Sequence, residues 1–83
     1  MLKTLLLLLE EFGALHVKAE VVSAKYLGLT KRETSERAHR GELPFPTFRA
    51  ETCRSPLLVD LRDVAEWIDT VRDSTRQDWR KLR

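Results

Sequence analysis

The residues of this chain best equipped for chemistry lie together in one short stretch, "KRETSERAHR", residues 31–40. The chemistry they offer is recognition by hydrogen bonds. Arg32 can reach O6 and N7 of a guanine with two parallel bonds, Ser35 can bond a base or a phosphate, and Glu36 can accept from a cytosine amino group. Thr34 and Ala38, four apart, are the members of the stretch suited to face a core. If they do, a helical turn of about 100° per residue sets Arg32, Glu36 and His39 on the opposite side, with Ser35 and Arg40 beside them. Lys31 and Arg37 fall to the sides, where their stems cover apolar surface while their charged ends meet phosphate. Thr30 opens the stretch. The competing reading is a solvated face in which Glu36 pairs with Arg32 or Arg40 at helical spacing.

Catalytic chemistry has little to work with. His16 and His39 are the only histidines, and Cys53 is the single cysteine. No CxxC pair, zinc-spaced Cys/His cluster, glycine-rich phosphate loop or apolar pair of carboxylates is present, so neither an enzyme, a metal nor a cofactor is expected. One cysteine forms no intrachain disulfide, and Cys53 reads as a passive, reduced thiol.

The helix that would carry these side chains has both ends written into it. Thr30 followed three residues later by Glu33 is a capping box, which commits Glu33 to structure. Gly41 sits where the helix stops, and Pro44 and Pro46 of "GELPFP" forbid its continuation. The spacing predicts a helix over 31–40, preceded by another over 18–27 that ends at Gly28 in the left-handed conformation. Together, residues 18–41 form a helix-turn-helix. Residues 2–12 predict an N-terminal helix with leucines all around it, covered on most sides or shared with a second copy.

Residues 47–59 contain two extended runs, 47–49 and 57–59, that predict a hairpin with a basic tip. Arg49, Arg54 and Ser55 would be its contacts, the arginines suited to a phosphate or a narrow minor groove. Asp60 caps a helix predicted over 60–76, on which Leu61, Val64, Ala65, Ile68 and Val71 recur at helical spacing. A basic tail, 77–83, follows. Phe45 and Phe48 are expected to anchor the hairpin to the core, and Trp67 to pack beneath the fold. Trp79 is expected either to dock on a second subunit or to point into solvent. The fold class expected is mainly α with a small β-hairpin: a single winged helix-turn-helix domain with an added N-terminal helix.

The totals agree with this reading. At 83 residues the chain makes one small domain near the limit of independent stability, which a partner or a second copy would support. The leucine run of "MLKTLLLLLEEFG" is too short for a signal peptide and is cut by Glu10 and Glu11, and no segment reaches membrane-spanning length. A cytoplasmic setting is therefore expected. A net charge of +2 argues for nucleic acid only through where the cations sit.

"YLGLTKRETSERAHRGELPFPTFR" followed by "SPLLVDLRDVAEWID" resembles the pyocin activator (PrtN) family of small phage-type transcription activators. The likeness runs from "LLLLLEEFG" to Ile68, and its most telling parts are Gly28 to Thr30, "GELPFP" and the helix after Asp60. A broader likeness, through the "GELP" turn, is to the MerR-like winged helices of phage excisionases and Cox proteins. The resemblance implies sequence-specific binding of double-stranded DNA by the helix after Thr30 and by the wing. The leading reading is an activator of phage-derived or bacteriocin genes. Its further partner is RNA polymerase, with Glu10, Glu11, Asp69 and Asp73 as acidic candidates, and a homodimer or a cooperative array would extend its site. The alternatives are an excisionase-like architectural protein or repressor, and a protein-interaction module such as an antirepressor.

Overall fold

The computed structural model describes residues 2–52 and 54–82. In chain order the elements are helix α1 (Leu2–Phe12), strand β1 (His16–Lys18), helices α2 (Ala19–Tyr26) and α3 (Lys31–His39), strands β2 (Phe48–Arg49) and β3 (Leu57–Asp60), and helix α4 (Leu61–Lys81). The chain is mainly α with a small antiparallel sheet, as expected. The sheet has three strands in the order β1-β3-β2, where the sequence predicts only the hairpin.

β3 pairs on one side with β1, Val17 opposite Val59, and on the other with β2, Phe48 opposite Leu58. Alternation along β3 turns Val59 into the core, fully buried, and leaves Leu58 and Asp60 on the other face. Phe48 shares that outer face and is 42% exposed, set edge-on to His16 at 5.6 Å between ring centroids. Phe45, at 4% exposure, is thus the aromatic that ties the β2 side to the core, and Phe48 is not. Phe45 meets Trp67 edge-on, and Trp67 in turn meets Tyr26. The core is completed by Leu8 of α1, Ala19 and Val22 of α2, and Leu61, Val64 and Ala65 of α4.

β3 runs into α4 with no loop between them. Asp60 is at once the last strand residue and the N-cap: its Oδ1 accepts from the amide of Arg62 at 2.8 Å. The Leu61 amide donates to the Leu15 carbonyl at 2.8 Å, tying the α1–β1 connection to the same helix start. The guanidinium of Arg62 closes on Asp60 Oδ2 at 2.6 Å, and His16 Nε2 lies 3.4 Å from the same oxygen.

α1 packs along α4, with Thr4 donating to Asp69 Oδ1 at 2.6 Å. Lys25 of α2 pairs with Glu11 and lies over the rings of Phe12 and Tyr26, closing the far end of α1 against α2. Leu2, Leu6 and Leu7 remain more than half exposed on the other side of α1.

α4 does not stop at residue 76. It continues to Lys81, because 77–81 contain neither glycine nor proline and are rich in good helix formers. The predicted tail is therefore mostly helix; its last residue, Arg83, lies outside the described residues, as does Cys53. From Val71 onward every described residue is exposed. Trp79, 55% exposed, sits on this projecting part. The projection also explains a radius of gyration of 14.0 Å, where a compact chain of this length would have about 12 Å.

The Arg62 hydrogen bond is the main cause that holds the Asp60 carboxyl low, at about 2, with His16 adding to it. A depressed carboxyl stabilises the fold above its unfolded value near 4 and loses that contribution as pH falls toward 2. Asp60→Ala is expected to lower unfolding stability by about 1 kcal/mol at neutral pH through the lost cap. In urea unfolding the gap from wild type should narrow as pH falls from about 4 to about 2; a gap constant down to pH 2 would contradict this role.

Candidate nucleic-acid interface

α2 and α3 are joined by the turn Leu27–Thr30. Gly28 has φ +68°, a conformation costly for any residue with a Cβ, although no neighbour crowds the site. The turn folds back so that the Ser23 carbonyl accepts from Leu27 at 2.9 Å and from Leu29 at 3.3 Å, and Leu29 is buried beneath it. α3 then begins on the capping box expected from the sequence. Thr30 Oγ1 accepts from the Glu33 amide at 3.1 Å, and the Thr30 amide donates to Glu33 Oε1 at 3.1 Å. The bonds from Thr30 hold the Glu33 carboxyl below its ordinary value, the backbone bond most.

At its other end α3 closes in a Schellman turn: the Glu42 amide donates to the Arg37 carbonyl at 2.8 Å and Gly41 to Ala38 at 3.1 Å, with Gly41 at φ +67°. The helix packs on α2 and buries Thr34, whose hydroxyl donates back to the Thr30 carbonyl at 2.9 Å. With that side fixed, Arg32, Glu36 and His39 are exposed. Arg32 Nε donates to Glu36 Oε1 at 3.1 Å, and Arg40 pairs with Glu42 at 3.0 Å. Both pairs are at the surface, where such contacts contribute only about 0–1 kcal/mol and exchange readily for another acceptor.

Beyond β2 the described residues 50–52 and 54–56 lead back to β3. Arg49 holds this turn by donating from Nη1 to the Ser55 carbonyl at 2.6 Å, while Ser55 Oγ accepts from the Thr52 amide at 3.2 Å. Two hollows lie between α3 and this strand pair. The first, about 250 Å³, is lined by Lys18, Glu20, Lys31, Thr34, Ser35, Arg49, Arg54 and Ser55 among others. The second, about 430 Å³, includes Ser35, Glu36, His39, Arg40, Thr47 and Arg49. Ser35, Arg49 and Leu57 line both, so the hollows are two halves of one groove.

The groove gathers Lys31, Ser35, Glu36, His39, Arg40, Arg49, Arg54 and Ser55, eight of the residues singled out in the sequence. Three others lie outside it. Arg32 projects at 90% side-chain exposure, Arg37 is exposed on the flank, and Thr30 is occupied with capping. Lys18 was not foreseen. It belongs to β1, whose three residues are too few to show an alternating pattern, and the sequence places it in a helix.

Among the described residues no group of histidines, cysteines and carboxylates could hold a metal ion, and no helix is long and apolar enough to cross a membrane. A mainly α domain of this kind, with two short helices joined by a tight turn and an antiparallel strand pair beside the second, is compatible with a helix-turn-helix plus wing. The chain belongs to the pyocin activator protein PrtN family, whose sequence profile matches residues 4–75. That match spans everything from α1 through the first two-thirds of α4. No curated protein and no solved structure matches the chain.

Thr30→Ala removes the hydroxyl that starts α3 and is expected to cost about 0.5–2 kcal/mol in urea unfolding. Thr30→Ser keeps the hydroxyl and should restore most of the loss. Equal stability of the alanine variant and wild type would show that the box does not secure α3.

Proposed function

We propose that this protein is a sequence-specific, DNA-binding activator of pyocin-type genes, reading double-stranded DNA with α3 and the β2–β3 wing. The observation that carries the proposal is the way α3 is held. Capped at both ends and buried on Thr34, it presents Arg32 on its open side and Glu36 and His39 in the groove that cations of the wing also line. Family membership supports the activator role.

Each side chain then has a distinct part. α3 enters the major groove, where Arg32 reads guanine, Ser35 bonds a base or phosphate, Glu36 accepts from cytosine, and His39 extends the contact. Lys31, Arg37 and Arg40 meet phosphates, and Thr30 sets the start of the helix. Arg54 and Ser55 bring the wing to the backbone or to the adjacent minor groove, with Arg49 bracing the turn. The Arg32–Glu36 pair is worth about 0.3–0.5 kcal/mol, less than the 1–3 kcal/mol of a bidentate guanine contact, so DNA wins the competition for Arg32.

One α3 reads few base pairs, and a homodimer or cooperative array on repeated half-sites raises both affinity and specificity. The exposed Leu2, Leu6 and Leu7 support self-association through α1. RNA polymerase is the further partner an activator requires, and the protein works where the nucleoid is, in the bacterial cytoplasm.

Arg32→Ala is expected to weaken binding to the best DNA site by about 1–3 kcal/mol and to loosen the base preference at one position. Fluorescence anisotropy with the site and with single-base variants reads both effects. An alanine variant that binds as tightly and as selectively as wild type would remove α3 from the major groove.

A further inference from the structure

We propose that the hollow between β1, the first turn of α3 and the wing is a seat for one DNA backbone phosphodiester, and that Lys18 of β1 is one of its phosphate ligands. The inference rests on the DNA-binding reading above and adds to it a contact from β1, ahead of α2 and α3 and apart from the wing.

Three observations converge on this seat. Its lining brings four cations from separate segments, Lys18, Lys31, Arg49 and Arg54, against the single anion Glu20. Arg49 is engaged with the Ser55 carbonyl, but Lys18, Lys31 and Arg54 form no ion pair with a described residue, so their charges are available to an outside anion. At about 250 Å³ the hollow is smaller than a small-molecule pocket of about 300–1,000 Å³, and its lining is mainly charged and hydroxyl side chains, with Pro56 and Leu57 as its apolar part.

Topology explains why a phosphate belongs there. Where α3 occupies a major groove and the wing reaches the neighbouring minor groove, the strand that separates the two grooves has to pass between helix and wing. The hollow lies between them. Lys18 owes its place to the sheet: the antiparallel register sets it opposite Leu58, beside the residues by which the wing returns. Its side chain is exposed and caps nothing, so its charge is free of a structural task.

A lysine on phosphate acts through counterion release and carries no base information. Lys18→Ala should reduce the slope of log K against log salt by about 0.9, which corresponds to about fivefold to tenfold weaker binding near 0.1 M salt. The loss should be equal for the preferred and a scrambled duplex. Lys18→Arg should restore the slope, and Lys3→Ala, on the exposed side of α1, should leave it unchanged. Fluorescence anisotropy of the full chain with both duplexes across a salt series measures all four proteins, and unfolding curves confirm that each is folded. If wild type binds DNA and Lys18→Ala keeps its slope and affinity, the seat is wrong while the DNA-binding reading stands. A loss confined to the preferred duplex would likewise overturn the phosphate assignment, and a wild type that binds neither duplex would overturn both.

Discussion

Among the described residues β3 is the one strand hydrogen-bonded on both edges, and the rest of the structure depends on it. On one side it fixes β1, and with it the start of α2; on the other it fixes β2, and with it the wing. Its third residue, Val59, is fully buried, and its fourth, Asp60, starts α4 and binds Arg62. Four residues thus set the relation between the helix-turn-helix, the wing and the packing helix. A one-residue slip of β3 would turn Val59 outward and move Asp60 away from the cap, so the register is held by burial and by capping together.

That centre matters to the proposed function because reading a duplex with α3 and the wing would require the two at a fixed separation. α3 reaches its position through the Gly28 turn and the buried Thr34; the wing reaches its own through β2–β3 pairing and the Arg49 brace. The two are linked through β1, which is continuous with α2 and paired to β3. Net charge contributes little, at +2, but its distribution is uneven. The groove between α3 and the wing is lined by Lys18, Lys31, Arg40, Arg49 and Arg54 against Glu20 and Glu36, while along α1 and α4 cations and carboxylates nearly balance. For the proposed DNA partner, a local excess of cations at the groove would focus the field there without requiring a strongly basic chain.

Much of this was readable in the residues, and the exceptions have physical causes. α1 spans the predicted 2–12, since its leucines and Gly13 leave little choice, and α3 falls within one residue of its predicted end because a capping box and a glycine followed by prolines mark both termini. β1 was hidden: three residues cannot display a period, and "HVK" leads directly into helical sequence. Phe48, grouped with Phe45 as an anchor by its place beside the prolines, turns instead to the outer face, because its register opposite Leu58 sets it against His16. The helix α4 was cut short where charge accumulates, although charge does not stop a helix and no breaker is present before residue 82. In the candidate site, the side chains on α3 and the wing were legible from type and spacing. Lys18 is not, because its place comes from strand pairing with Leu58, forty positions further along the chain.

The most direct measurement is selection of bound duplexes from a random DNA pool by the full-length protein, with each enriched sequence rebound over a range of salt. A recurring motif is expected, with log K falling linearly against log salt by about 0.9 for each phosphate contacted. The spacing of motif copies would give the number of protein copies bound. Failure to enrich any motif, together with weak binding even at low salt, would contradict the account and turn the open face of α3 toward a protein partner instead.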